Sequence, residues 1–241
     1  TAIRAGPVPI ASGGTMAIDG TAADNVWLVG YRGFAAHWDG TSATRAPMMS
    51  GFTDTFAGVV ALPGGRAIAS TEGGSVYELT LAGATSVYTG SVPLHGVWAA
   101  SPSDIFVAAG DGSVLHYDGA SWTPMSTGVT TALHGVWGRG ATDVYVVGDE
   151  GVVLRYDGSA WTAIPSGSTT IHFRDVEGDA TRLWMVGMEA GSGQGEIWYL
   201  EAGLLREQVP GTTGWLNAID ILPSGEAWTV GFASQVLRRA P

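Results

Sequence analysis

LHGVWAASPSDIFVAAGDGSVLHYDGASWTPMSTG, residues 94–128, and LHGVWGRGATDVYVVGDEGVVLRYDGSAWTAIPSG, residues 133–167, align without a gap at a spacing of 39 residues. This is a duplicated structural unit, and self-similarity at such a period marks a repeat architecture. Weaker copies follow the same grammar: AIDGTAADNVWLVGYRGFAAHWDG from Ala17, GVVALPGGRAIASTEGGSVYEL from Gly58, DVEGDATRLWMVG from Asp175 and AIDILPSGEAWTVG from Ala218. Each copy reads as four short strands, as in HGVW, DVYVVG, VVLRY, an Asp-Gly turn and WTAI. Four strands in about 40 residues make one propeller blade. The expected fold is therefore all-β: a six-bladed β-propeller with four antiparallel strands per blade, one domain over residues 1–241.

The sixth copy runs out after VLRRAP at 236–241, which matches a third strand. TAIRAG at 1–6 matches the fourth strand TAIPSG at 162–167 in four of six positions. The N-terminal strand is accordingly expected to complete the last blade and close the ring, which would remove open sheet edges. Blades fall at approximately 13–54, 55–92, 93–131, 132–171, 172–214, and 215–241 plus 1–12.

Composition narrows the function classes. The 241 residues include 37 Gly, 10 Trp and no Cys, and carry a net charge of −11. Acidity of that size repels a phosphate backbone, so nucleic acid is not an expected partner. No apolar run reaches the length of a membrane-spanning helix. Without cysteine there are no disulfides, no thiolate chemistry and no Cys-based zinc site. The chain opens at Thr1, which fits a processed leader, and the expected location is extracellular, cell-surface or periplasmic. A monomer is expected.

Two columns of the repeat vary in a way that packing does not demand. The β-branched anchor of the first strand is Ile18, Val59, Val97, Val136, Val176 and Ile219. One residue later stand Asp19, Val60, Trp98, Trp137, Glu177 and Asp220, so that an acidic arc would face an aromatic one around the channel. Carboxylates beside aromatic faces suit sugars and cations. The plainer reading is that the two Trp plug the channel and the acids are solvated at its rim. Two residues before the anchor stand Met16, Ala57, His95, His134, Arg174 and Asn217, a second polar ring. The candidate ligand-binding residues are thus Trp98, Trp137, Glu177, Asp220, Asp19, His95, His134 and Arg174. No catalytic residue and no metal ligand is assigned, because zinc-helix, phosphate-loop and nucleophile-elbow signatures are all absent. No cofactor is expected. Calcium is the one ion that acidic turns such as Asp111, or Asp149 with Glu150, would hold, and neither has the spacing of a known calcium loop.

The turns HYDGASW at 116–122 and RYDGSAW at 155–161 resemble the Asp-box of sialidase-like propellers, and the repeat as a whole resembles bacterial secreted β-propeller repeats. That resemblance implies a fold and a structural duty for Asp118, Asp157, Trp122 and Trp161 in fixing the turn between third and fourth strands. Sialidase chemistry is not carried over, since the arginine of the early first-blade motif is missing.

The leading functional expectation is a secreted or surface binding module that recognises a glycan or a protein partner through the channel mouth or one face of the ring. Two alternatives stay open. One is a glycoside hydrolase or lyase with Glu177 and Asp220 as channel-mouth acid and base; the other is a structural scaffold that binds nothing.

Overall fold

The computed structural model of the chain describes residues 14–48, 51–208, 214–222, 224–232 and 236–239. They form six small β-sheets with almost no helix, a six-bladed β-propeller. Blade 1 contains β1 (Thr15–Ala22), β2 (Asn25–Gly30), β3 (Phe34–Trp38) and β4 (Ala43–Arg45). Blade 2 contains β5 (Phe56–Leu62), β6 (Arg66–Thr71), β7 (Ser75–Thr80) and β8 (Gly83–Thr89). Blade 3 contains β9 (Leu94–Ser101), β10 (Asp104–Ala109), β11 (Val114–Tyr117) and β12 (Trp122–Met125). Blade 4 contains β13 (Leu133–Gly140), β14 (Asp143–Gly148), β15 (Val153–Tyr156) and β16 (Trp161–Ala163). Blade 5 contains β17 (Ile171–Gly178), β18 (Arg182–Glu189), β19 (Gly195–Glu201) and β20 (Leu204–Gln208). Blade 6 shows β21 (Leu216–Ile221), β22 (Ala227–Gly231) and β23 (Val236–Arg239), three strands among the described residues. The segment expected to supply its fourth strand, residues 1–6, lies outside the described residues.

Neighbours in sequence are neighbours in each sheet. The chain divides into two compact units, with the boundary running through blade 3. In the first unit the buried core is built from Trp27, Val29, Phe56, Val59, Tyr77 and Leu79. In the second, Tyr145, Val147, Phe173, Val176 and Met185 form one cluster, and Trp184, Val186, Leu216 and Ile219 form another. Each of these clusters draws on side chains of two adjacent blades. A blade is therefore stabilised by its neighbour's face, at about 1.5–3 kcal/mol for each large side chain fully enclosed.

Three of the third-to-fourth strand turns show why the Asp-Gly pair recurs. Asp157 Oδ1 accepts from the backbone N–H groups of Ser159 at 2.8 Å and Ala160 at 2.9 Å. Asp118 holds Ala120 and Ser121 in the same way, and Asp39 holds Thr41 and Ser42. The glycine after each aspartate has φ between 91° and 95°, a left-handed conformation that costs glycine little. These donors favour the ionised carboxylate, and Asp157 falls to about 2, chiefly through the Ser159 hydroxyl and the turn N–H groups.

A second device ties the start of the second strand to the third strand, twelve residues on. Asn25 meets His37, Arg66 meets Glu78, Asp104 meets His116, Asp143 meets Arg155 and Glu226 meets Arg238. The acid comes first in blades 3, 4 and 6 and second in blade 2 while the position is kept, which is the behaviour of a structural cross-strand pair.

Candidate functional site at the first-strand bulges

In blades 1, 2, 4, 5 and 6 the first strand carries a β-bulge at one equivalent place near its start. The pairing Leu133↔Gly148 is followed by Gly135↔Val147, leaving His134 as the extra residue. Phe173↔Gly187 is followed by Asp175↔Val186, leaving Arg174. Met16, Ala57 and Asn217 are the extra residues of blades 1, 2 and 6. These five belong to the polar-ring column of the sequence, and His95 is the sequence equivalent in blade 3. A bulged residue leaves the ladder and its side chain is re-aimed. Glycine stands opposite because the bulged backbone comes close: a Cβ on Gly148 would overlap the Ala132 carbonyl oxygen, and one on Gly187 the His172 carbonyl oxygen.

Two of these residues meet. Arg174 Nη1 lies 2.8 Å from His134 Nε2. Asp149, on the turn after β14, places Oδ1 3.0 Å from His134 Nε2 and 2.7 Å from His172 Nδ1. One nitrogen cannot accept from Arg174 and donate to Asp149 at once. Burial, and then the Arg174 charge, hold the His134 imidazole below its ordinary pKa, so the ring is neutral at pH 7 and Nε2 accepts from Arg174. Burial pushes the Asp149 carboxyl up, but the His172 hydrogen bond, with the Arg174 charge beside it, outweighs burial and leaves Asp149 below the usual carboxylate range. The result is a half-buried polar cluster in which every member is oriented by another. Among the described residues no group of three or more His, Asp or Glu is arranged to hold a metal ion.

The remaining candidates are placed differently. Asp19 pairs in register with Trp27, and its Oδ2 accepts the Ala61 N–H at 2.7 Å, joining blades 1 and 2. Trp137 lies opposite Tyr145 and packs against the blade 4–5 core. Glu177 lies opposite Trp184 and accepts the Gly178 N–H at 3.2 Å. Asp220 lies opposite Trp228 and is exposed. Trp98 is half-buried, 6.1 Å from the Phe106 ring. Directly opposed residues of an antiparallel pair share a face. The register thus puts Trp137 and Glu177 on the face of Tyr145 and Trp184, which are buried between blades. His95 contributes its carbonyl oxygen to the Ser70 hydroxyl of blade 2.

Sequence reasoning singled out His134 and Arg174 and passed over His172, which is no repeat of a blade-3 or blade-4 histidine. It also passed over Asp175, whose Oδ2 accepts the Ile219 N–H and whose Oδ1 accepts the Val176 N–H, both at 2.9 Å. That carboxyl staples β17 to β21, and burial pushes it up to about 7.

No protein-family model and no curated protein sequence matches this chain. Solved structures share its fold. YCF48 bound to D1 peptide superposes with a TM-score of 0.70 at 13% identity, over 95% of this chain and 78% of that one. YCF48 from Cyanidioschyzon merolae gives 0.67 at 16% identity, over 98% and 97%. The crystal structure of RRP9 WD40 repeats gives 0.71 at 13% identity, over 90% and 72%. At these identities the likeness establishes the propeller fold and no more.

Proposed function

We propose that the chain is a protein-interaction module that holds an extended segment of a partner polypeptide against the bulge end of the first strands of blades 4, 5 and 6. The observation that carries this reading is the contrast at the bulge. The bulged backbone repeats in blades 4, 5 and 6, yet the projecting side chains are His134, Arg174 and Asn217. A position kept for packing would settle on one kind of residue; imidazole, cationic and amide groups in turn on a regular frame suit recognition of an irregular partner. That a propeller of similar fold, YCF48, is bound to a D1 peptide supports the class of ligand.

The test is selection of peptides from a displayed random library on the native chain, followed by affinity measurement on Arg174→Ala and His134→Ala. Selected peptides are expected to lose about tenfold or more in affinity with either change. A library that yields no binder, or binders indifferent to both changes, would overturn the proposal.

A further inference from the structure

The two duplicated blades share 16 of 35 aligned residues, and three of their differences converge. Blade 3 has Ala100, Phe106 and His116 where blade 4 has Arg139, Tyr145 and Arg155, while Asp104 and Asp143 keep their place. In blade 3 the shared frame is complete with one cross-strand pair: His116 Nε2 lies 2.7 Å from Asp104, and the imidazole stacks on Phe106 at 4.4 Å. Blade 4 adds a second cation and a hydroxyl to a frame that folds without them. What packing does not require is a candidate for binding.

The additions line a cleft of about 490 Å³ at the end of blades 4 and 5 opposite to the His134 and Arg174 bulges, with Ile164 and Leu200 as its apolar lining. Both guanidinium groups are held in place. Arg155 Nε donates to Asp143 Oδ1 at 2.7 Å. Arg139 Nη1 lies 3.1 Å from both Asp143 Oδ2 and the Tyr145 hydroxyl, and its Nε donates to the Asp179 carbonyl at 2.8 Å. The guanidinium carbons lie 5.4 and 6.0 Å from the Tyr145 ring. The Arg155 side chain, which also meets the Tyr145 hydroxyl, is half exposed and presents its guanidinium to the cleft beside that of Arg139. These donors are fixed in direction before any ligand arrives, the condition under which guanidinium recognition of an oxyanion is strongest.

The geometry points to a second binding site, separate from the bulge end, that takes a carboxylate carried by a partner polypeptide between Arg139 and Arg155. A monoanion fits the local balance. Asp143 already offsets part of the two positive charges, and Asp157, also on the cleft, is turned into its own hairpin by Ser159 and Ala160. A dianionic phosphate would set a second negative charge beside these carboxylates. The partner's apolar stem would rest on Ile164 and Leu200.

The blade-3 sequence supplies a substitution set that this frame already tolerates: Arg139→Ala, Tyr145→Phe and Arg155→His together. The measurement is NMR of the arginine Nε–H signals during titration with acetyl-Ala-Glu-Ala-Ala-amide, its Gln counterpart and its phosphoserine counterpart. The glutamate peptide is expected to move the Arg139 and Arg155 signals, to bind about tenfold or more tightly than the glutamine peptide and more tightly than the phosphoserine peptide, and to lose that advantage in the triple variant. Arg174→Ala is expected to leave it unchanged. Equal binding of glutamate and glutamine peptides, preference for phosphoserine, absence of any shift, or retention of the advantage in the triple variant would each overturn the proposal.

Discussion

Replacing Asp175 by Asn tests how blades 5 and 6 are joined. The Asp175 carboxyl accepts two backbone N–H groups, yet burial, with the Asp220 charge adding to it, raises its pKa from 3.8 to about 7. In that window the native protein retains a proton that the unfolded chain has released, so the stability this group contributes is full below about pH 4 and is lost as pH rises through 7. A shift of about three units at about 1.36 kcal/mol each sets a ceiling of about 4 kcal/mol. Part of the residue reaches solvent, so a loss of about 2 kcal/mol is the expected outcome. Asparagine carries no charge at any pH and leaves one of the two N–H groups poorly met, at about 1–2 kcal/mol. Urea unfolding of both proteins at half-unit steps from pH 4 to 8 gives the difference directly, and taking the difference cancels the other carboxylates. Asp175→Asn should be the less stable protein at pH 4 and should gain on the native chain by about 2 kcal/mol at pH 8. Parallel stability curves would show that the carboxyl is ionised and solvated in the native state, and the staple argument would fail.

Two further outcomes follow from the bulge end. The His134 imidazole should titrate below the ordinary 6.5 in a proton NMR titration, and Asp149→Asn should lower it further by removing a charge that favours the imidazolium; because this folded pKa is depressed, the stability it contributes is present above pH 6.5 and is lost as pH falls through the folded value, and a His134 titration above 6.5 would refute the assignment. Gly148→Ala should destabilise by about 1–3 kcal/mol, since the added methyl meets the Ala132 backbone; thermal unfolding unchanged within error would mean that the close approach opposite His134 is absent.

Much of the fold was legible because a propeller is written locally. Strand order equals chain order, and three of the third-to-fourth strand turns announce themselves by an Asp-Gly pair whose backbone chemistry is complete within four residues. The site was less legible. The column holding His134 and Arg174 stood out by its variation, but nothing in a single strand says that one residue is extra. The column holding Trp137 and Glu177 was expected to face the channel, whereas its register with Tyr145 and Trp184 sets it on the blade-to-blade face. Arg139, Tyr145 and Arg155 were detectable only as departures of one copy from its twin, and their shared cleft draws on two blades.

By itself, the sequence determined the repeat period, the number of blades, the four-strand grammar and the turns, all of which depend on neighbours a few residues apart. Only the tertiary structure decided which way the first-strand side chains point and which of them meet. Strand alternation has a period of two, so one bulged residue resets every assignment beyond it. Contacts such as Arg174 to His134 span 40 residues, and only the packing of one blade on the next brings such pairs together.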